Sequence, residues 1–254
     1  MPSVLQEIII KVEDSLGRIF CDFLKLLGDN FINKHLIKRG GIVIDEIETP
    51  GKNPTGLALE NRECLWHCDA WSRMIYKIEI NTGKVKKVFK APGPHPWGLA
   101  YDGCSLWNSD DYTCTIYQID ADKGYLIKKF KYPNTDLHGL AYDGKYILAV
   151  DRKNTVIIWL NPKDGTIVKR FPIPSSDPIT ESGGLEIMGK YLWLSNGTKA
   201  SICLLDPSGG RTLKEIQLMK CHPHDLAFHE DHLYVSIRNL RRIYKIRIEG
   251  IRGK

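Results

Sequence analysis

The residues "GLAYDG" occur at positions 98–103 and again, unchanged, at positions 139–144. Five segments of the chain align around this motif and its variants, at spacings of 42, 41, 45 and 41 residues. Repeats of this length indicate either the blades of a β-propeller or an array of helices. The residues that anchor the alignment are Gly56, Gly98, Gly139, Gly184 and Asp225.

The turns within each segment distinguish these two architectures. Each segment contains short runs rich in Val, Ile, Leu, Tyr and Trp, separated by stretches such as "YDG", "NTG", "DKG" and "KDG". Asp or Asn followed by Gly supplies the positive φ that tight β-hairpins require. The sequence therefore predicts four-stranded antiparallel units, and five such units around an axis form an all-β, five-bladed β-propeller.

The two ends of the repeat region predict how the ring closes. The fifth segment stops at "EGIRGK", where the other segments begin their fourth strand. Residues 40–51, "GGIVIDEIETPG", align instead with the fourth-strand stretch "TGKVKKVFKAPG" at residues 82–93. We therefore expect residues 41–48 to complete the last blade, within a propeller domain that spans residues 40–254.

Residues 1–39 lie outside the repeat and carry a helical pattern. Apolar residues recur at spacings of three and four from Leu5 to Leu26, which predicts an amphipathic helical segment. This segment could fold against the propeller, or it could mediate association with a second copy or a partner, and both alternatives remain open. Acidic and basic residues balance on its polar face, so membrane binding is not expected.

Charge and cysteine content narrow the class of protein. The 36 Lys and Arg residues exceed the 30 Asp and Glu residues by 6, which permits anionic partners without requiring them. Lysines on the fourth strands are typical of edge protection, and without interleaved aromatic residues they give no specific nucleic-acid signal.

An odd number of cysteines, 7, favours a reducing compartment. With no signal-peptide pattern and no long apolar run, we expect a cytoplasmic protein.

Two sets of positions should lie on one face of the propeller, called here the funnel face. The rim positions, at the start of each innermost strand, vary between blades: they are Thr55, Trp97, His138, Gly183 and His224. The ends of the second strands are nearly constant: they are Asp69, Asp110, Asp151, Asn196 and Ile237. The repeated Asp or Asn favours a structural role, since these side chains cap turns by accepting backbone N–H bonds. A ligand-binding funnel lined by both sets is the functional alternative.

The histidines are the main candidates for chemistry. His138 and His224 could bind a ligand, coordinate a divalent metal beside a carboxylate, or transfer protons near neutral pH. His67, His95 and His222 are expected to add to the same face. Two histidines in separate blades specify no metal geometry, so no metal ligand is assigned and no cofactor is predicted beyond that alternative.

Glu186 is a further candidate, because the other four blades carry alanine at its position. A lone buried carboxylate is costly, so this side chain should either face the funnel or be paired.

The segments "PWGLAYDGCSLWNSDDYTCTIYQID" and "GGLEIMGKYLWLSNGTKASICLLDP" resemble the repeats of the glutamine cyclotransferase-like propellers, over residues 41–248. The resemblance implies a five-bladed fold, shared with glutaminyl cyclases that close an N-terminal glutamine into pyroglutamate. Three signatures of those enzymes differ here: "PTGL" stands in place of T-Q-G-L, His67 in place of a glutamate, and "HDLA" in place of N-E-L-E. The fold is therefore expected to carry over, and the cyclase activity is not.

The sequence thus leads to two hypotheses of function. The first is a non-catalytic binding or scaffold propeller, whose funnel face holds a small ligand or protein partner and whose N-terminal helix mediates association. The second is a propeller enzyme, a lyase, hydrolase or cyclase, that uses His138, His224 or Glu186, with or without a divalent metal.

Overall fold

The computed structural model describes residues 36–174, 183–208, 210–219 and 221–249, and the regular secondary structure in this part of the chain is almost entirely β-strand. A single turn of 3-10 helix, Arg238–Leu240, is the one helical element in these ranges. The strands are β1 (Ile37–Arg39), β2 (Gly41–Glu48), β3 (Pro54–Leu59), β4 (Cys64–Asp69), β5 (Met74–Glu79), β6 (Val85–Lys90), β7 (Pro96–Tyr101), β8 (Ser105–Asp110), β9 (Thr115–Asp120), β10 (Leu126–Lys131), β11 (Leu137–Tyr142), β12 (Ile147–Asp151), β13 (Val156–Leu160), β14 (Ile167–Pro172), β15 (Leu185–Met188), β16 (Tyr191–Asn196), β17 (Ser201–Asp206), β18 (Arg211–Leu218), β19 (Pro223–His229), β20 (His232–Ile237) and β21 (Arg242–Ile248).

The strands form five antiparallel sheets, which confirms the predicted five-bladed β-propeller. Blade 1 contains β3 to β6, blade 2 contains β7 to β10, and blade 3 contains β11 to β14. Blade 4 contains β15 to β18, and blade 5 contains β19 to β21 together with β2. The core lies between blades, where the second-strand residues Trp66, Trp107 and Trp193 are at most 1% exposed.

The ring closes as predicted. Strand β2, at residues 41–48, pairs with β21 in an antiparallel ladder that runs from Gly41 opposite Ile248 to Glu48 opposite Arg242. Strand β2 and the last strand, β21, therefore share blade 5. This pairing covers the edge that β21 would otherwise expose.

Residues 37–39 differ from the sequence-based expectation. They were expected to belong to the N-terminal helical segment, but they form β1, which pairs with β18 as a fifth strand on blade 4. Leu36 is also part of the propeller, because its carbonyl accepts a bond from the N–H of Met219 and its side chain is buried. The rest of the predicted helical segment, residues 1–35, lies outside the described residues.

The "GLAYDG" motif forms a strand and the hairpin turn that follows it. In blade 2, Asp102 Oδ1 accepts bonds from the N–H groups of Cys104 and Ser105, and the hydroxyl of Tyr101 donates to the carbonyl of Gly103. Gly103 has a φ of +100°, which favours glycine. Blade 3 repeats this arrangement at residues 142–146. The need for the same turn in both blades therefore explains why the motif "GLAYDG" is repeated.

The five anchoring residues, Gly56, Gly98, Gly139, Gly184 and Asp225, meet around the propeller axis and are called here the axial positions. A Cβ atom added at Gly139 would lie 2.5 Å from the backbone nitrogen of Leu185 and 2.6 Å from Cα of Gly184. Neighbouring innermost strands thus approach one another too closely for a side chain. The conserved first letter of "GLAYDG" follows from this packing.

Asp225 is the exception among the axial positions, and its carboxylate ties several blades together. Oδ2 accepts bonds from the N–H groups of Leu57 in blade 1 (2.9 Å) and Leu99 in blade 2 (3.3 Å). Oδ1 accepts a bond from the N–H of Leu185 in blade 4 (3.2 Å). Burial raises the pKa of this carboxyl well above its usual value, and the N–H groups oppose that shift. One side chain therefore joins the innermost strands of four blades, including its own.

No helix in the described part of the chain is both long and apolar enough to span a membrane.

Candidate functional site

Three of the rim residues meet at the centre of the funnel face. The ring of Trp97 lies with its centroid 4.5 Å from that of His138 and 4.6 Å from that of His224. Blades 2, 3 and 5 each supply one of these rings from the start of the innermost strand. Trp97 is 9% exposed, and both histidines are buried beneath or beside it. The sequence predicted that these residues share a face, and the structure places their rings in contact.

His138 is held by a carboxylate and an arginine. Its Nε2 lies 3.1 Å from Oδ1 of Asp136, and Oδ2 of Asp136 accepts bonds from Nε (3.0 Å) and Nη2 (2.8 Å) of Arg152. Burial disfavours the charged form of Asp136, but His138 and Arg152 outweigh it and lower the pKa to about 2. Burial also lowers the pKa of His138, despite the bond to Asp136. The arrangement is that of a neutral imidazole that donates from Nε2 to an ionised carboxylate.

A second carboxylate, Asp111, completes the cluster from blade 2. Its Oδ1 lies 2.5 Å from Nδ1 of His95, and its Oδ2 lies 4.0 Å from Nε2 of His138. The bond to Asp111 raises the pKa of His95. The ring of His95 is also 5.0 Å from that of Trp97. His95 therefore joins the funnel cluster, as expected from the sequence.

Asp111, Asp136 and His138 could share a divalent cation, since one ligand atom from each lies within 4.8 Å of the others. Two carboxylate oxygens and one imidazole nitrogen form a ligand set that such ions accept, and Arg152 would fix the orientation of Asp136. An ion would have to replace the proton now shared between His138 and Asp136. The donor set therefore fits a metal, at the cost of an existing hydrogen bond.

His224 occupies a different environment from His138, although both contact Trp97. Burial lowers its pKa well below the usual value, and the nearby positive charge of Arg238 lowers it further. His222, in the loop just before β19, is half-buried and adds to this effect when charged. His224 therefore carries a neutral imidazole at neutral pH.

The nearly constant second-strand ends act as turn caps. Asp69 accepts bonds from the N–H groups of Trp71 and Ser72, and Asp110 accepts one from that of Thr113. Blades 3 and 4 follow the same scheme: the side chain of Asp151 accepts from the N–H of Asn154, and that of Asn196 from the N–H of Lys199. Ile237, the fifth member, carries no polar group. These bonds support the structural role of the four polar side chains.

Three other candidates, Thr55, His67 and Glu186, lie away from the cluster of rings. Oγ1 of Thr55 is 3.1 Å from the carbonyl of Cys68 and 3.0 Å from that of Pro96, so it links blades 1 and 2. His67 was expected on the funnel face, but it lies inside blade 1: Nδ1 bonds the carbonyl of Gly56 and the ring stacks on Tyr76. Burial lowers its pKa to about 4.

Glu186 is paired with backbone groups. Its carboxylate accepts bonds from its own neighbour, the N–H of Ile187 (2.7 Å), and from the N–H of Phe228 in blade 5 (3.1 Å). The residue as a whole is half-buried, but its carboxyl is enclosed between blades 4 and 5, and burial raises its pKa to about 7. The paired alternative of the sequence analysis describes this geometry.

Sequence reasoning missed Asp111, Asp136 and Arg152. A signal for them exists in the aligned repeats, at two positions that vary between blades. Asp111 and Arg152 follow the constant Asp of the second strand, where blade 1 has Ala70 and blade 4 has Gly197. Asp136 stands two residues before a rim position. Variation beside a constant structural residue marks Asp111 and Arg152, and variation next to the rim marks Asp136.

Comparisons with known proteins support the fold. No family model matches the chain, and no curated protein matches it. Among solved structures, the glutaminyl cyclase of Myxococcus xanthus is similar with a TM-score of 0.70 and 12% identity, over 84% of this chain and 98% of that one. A streptogramin B lyase is similar with a TM-score of 0.50 and 16% identity, over 77% of this chain and 65% of the lyase.

The virginiamycin B lyase of Staphylococcus aureus, in a structure with quinupristin, is similar with a TM-score of 0.50 and 17% identity, over 77% of this chain and 66% of that one. This chain thus spans about two thirds of either lyase. At these identities the similarity shows the fold, and the resemblance to glutamine cyclotransferase-like propellers is supported at that level.

Proposed function

We propose that this protein is a non-catalytic binding propeller that holds a small ligand or the end of a partner chain on its funnel face. The observation that carries the proposal is the packing of the central rings. The side chain of His138 is 1% exposed, and Trp97 contacts both His138 and His224. A substrate would have to displace Trp97 before either imidazole could reach a reacting atom.

The groups accessible to a ligand lie around this closed centre. The side chains of Asp136, Arg152 and Asp111 are 27%, 24% and 19% exposed, and that of His95 is 36% exposed. They offer carboxylate acceptors beside guanidinium and imidazole donors. Such a set suits a polar ligand that both donates and accepts hydrogen bonds, because each charge already has a partner and no strong net charge remains.

The second candidate is a metal-dependent enzyme, and the convergence of Asp111, Asp136 and His138 favours it. A divalent ion there would act as a Lewis acid or activate a water molecule when bound. His138 and the two carboxylates would hold it, and neutral His224 would be available for proton transfer once Trp97 is displaced. The glutaminyl cyclase and lyase activities of the structurally similar proteins make cyclisation and elimination the first reactions to test.

Metal analysis and an ammonia-release assay with glutamine-initiated dipeptides separate these candidates. The binding proposal expects no stoichiometric metal and no turnover, in wild type and in His138→Ala alike. Turnover that is lost in His138→Ala would establish the enzyme instead, and one metal ion per chain that is lost in Asp136→Asn would establish the metal site that this enzyme requires.

A positive test of the binding proposal uses NMR of the labelled protein with a library of amino acids and small polar metabolites. We expect chemical-shift changes confined to residues around Trp97, which disappear in Asp111→Asn. Lys123→Ala, on the opposite face, is the control and should bind as wild type does. Changes scattered over the surface, or none at all, would reject the funnel face as a binding site.

Self-association through residues 1–39 remains a prediction. Because β1 is part of blade 4, deletion should end at residue 35, so that Leu36 and β1 stay in place. Sedimentation should show a smaller species after this deletion, and an unchanged mass would reject this role.

A further inference from the structure

A cavity of about 560 Å³ lies between blades 2 and 3, apart from the rings at the funnel centre. It is bounded by the end of β10, the loop at residues 132–135, and the strands β13 and β14. Its volume is in the range of pockets that hold drug-sized ligands. Its apolar lining comes from Val156 and Ile167, which are half-buried, and from Ile158, which is 2% exposed.

The repeat explains why the cavity is there. The third residue of the third strand is tyrosine in blades 1, 2 and 5, where it is Tyr76, Tyr117 and Tyr244. In blade 3 that residue is Ile158. The hydroxyls of Tyr76 and Tyr117 contact Ser72 (3.2 Å) and Thr113 (3.3 Å), each in the turn that precedes the third strand of its own blade. Isoleucine cannot reach this far, so the volume that a tyrosine ring fills elsewhere is left open.

The walls of the cavity carry positive charge. Arg170 stands directly opposite Ile158 in the β13 and β14 pairing, so both side chains share one face of the sheet. Lys131, the last residue of β10, lines the other side. Both are exposed, and within the described residues neither forms an ion pair. One lining residue, Asp151, is acidic. Its carboxylate oxygens accept hydrogen bonds from Asn154 and from the N–H of Asp136.

We propose that this cavity binds a small amphiphilic anion, with its apolar body against Val156 and Ile167 and its acidic headgroup between Lys131 and Arg170. Two exposed cations and one buried carboxylate leave a net positive charge beside the apolar lining. This combination suits such a ligand, since Arg and Lys bind carboxylates and phosphates through charge-assisted bonds. A carboxylate and a phosphate monoester share the required chemistry. The site is independent of the function proposed for the funnel face.

The test is isothermal titration with decanoate and decyl phosphate, each below its micelle concentration, and with decanol below its solubility limit. We expect saturable 1:1 binding of at least one anion, with decanol at least about tenfold weaker, because it lacks the charge. Preference for decanoate or for decyl phosphate identifies the headgroup. Absence of saturable binding by either anion, or equal binding of decanol, would overturn the proposal.

Substitutions locate the site, and the repeat supplies a matched control. The double variant K131E/R170E should lose about tenfold or more in affinity. The control K90E/K129E makes the same charge change at the aligned positions beside Tyr117, where the crevice is filled. It should change affinity less than about twofold, so an equal loss in both variants would point to net charge rather than to a site.

Ile158→Tyr restores the residue of the other blades and should abolish binding while the protein keeps its circular dichroism spectrum. Retained affinity in a folded Ile158→Tyr protein would place the ligand elsewhere. If this variant does not fold, the two surface charge variants still decide the matter. Binding should persist in His138→Ala, which separates the cavity from the funnel cluster.

Discussion

Gly139 and His138 are neighbours on β11, yet the structure constrains them in opposite ways. A side chain at Gly139 would collide with the backbone of blade 4, while the side chain of His138 extends into the cluster of rings on the funnel face. The same contrast recurs in blade 2 with Gly98 and Trp97. The axial positions are therefore fixed by backbone packing, and the rim positions one residue earlier are free to differ between blades.

The largest effect should come from a side chain at the axis. Gly139→Ala introduces a Cβ that only a shift of the backbone in blade 4 can accommodate, so we expect it to lower the free energy of unfolding by about 3 kcal/mol or more. Urea unfolding measures this change. Gly189→Ala is the control: its surroundings are open, and only its φ of +61° disfavours alanine, at a cost of about 1 kcal/mol. An equal loss in the free energy of unfolding in the two variants would show that close backbone packing does not constrain the axial positions.

The one polar axial residue provides the next test. Asp225→Asn keeps the size of the side chain but turns an amide NH₂ toward backbone N–H groups, which leaves donors without acceptors. We expect a loss of about 2 to 3 kcal/mol in the free energy of unfolding. Asp143→Asn is the matched control, because its single acceptor oxygen serves an exposed turn and an amide oxygen can replace it. If Asp225→Asn unfolds at the urea concentration of wild type, the carboxylate does not join the blades.

Most of the fold follows from the sequence, because the repeat carries the strand pattern, the turn residues and the register. The strand at residues 41–48 was predicted from alignment alone, since the missing strand of the fifth segment had one counterpart. The role of Asp225 was not predicted, because it depends on how closely five strands approach the axis. The contact of Asp136 with His138 and Arg152 depends on side-chain direction at two separate loops, which periodicity does not encode. His67 was misplaced for the same reason: its ring turns inward on Tyr76.

Glu186 tests whether a charged group at an otherwise constant position affects stability. Its pKa rises in the folded protein from 4.5 to about 7, so the folded state binds the proton more tightly than the unfolded state. Stability from this group is therefore full below about pH 4.5 and is lost as pH rises through 7. Because the residue is half-buried, we expect a loss of about 1 to 2 kcal/mol.

Glu186→Gln removes this titration. Buried histidines contribute a slope of opposite sign at lower pH, so the informative quantity is the difference between variant and wild type at each pH. That difference in the free energy of unfolding should shift in favour of the variant between pH 4.5 and 7. A difference that stays constant over this range would mean that the carboxyl titrates as it does in water.

The smallest effect should come from the rim. His224→Gln removes a ring that contacts Trp97 but leaves the backbone of β19 in place, so we expect a cost of about 1 kcal/mol, the worth of one aromatic contact. The near-ultraviolet circular dichroism of Trp97 should change, because its ring loses a neighbour, while the urea transition keeps its slope. Gly139→Ala should instead cause a large loss in the free energy of unfolding, with less change in the near-ultraviolet circular dichroism. If His224→Gln costs as much as Gly139→Ala, the rim is as strongly constrained as the axis, and variation there could not serve to tune a binding site.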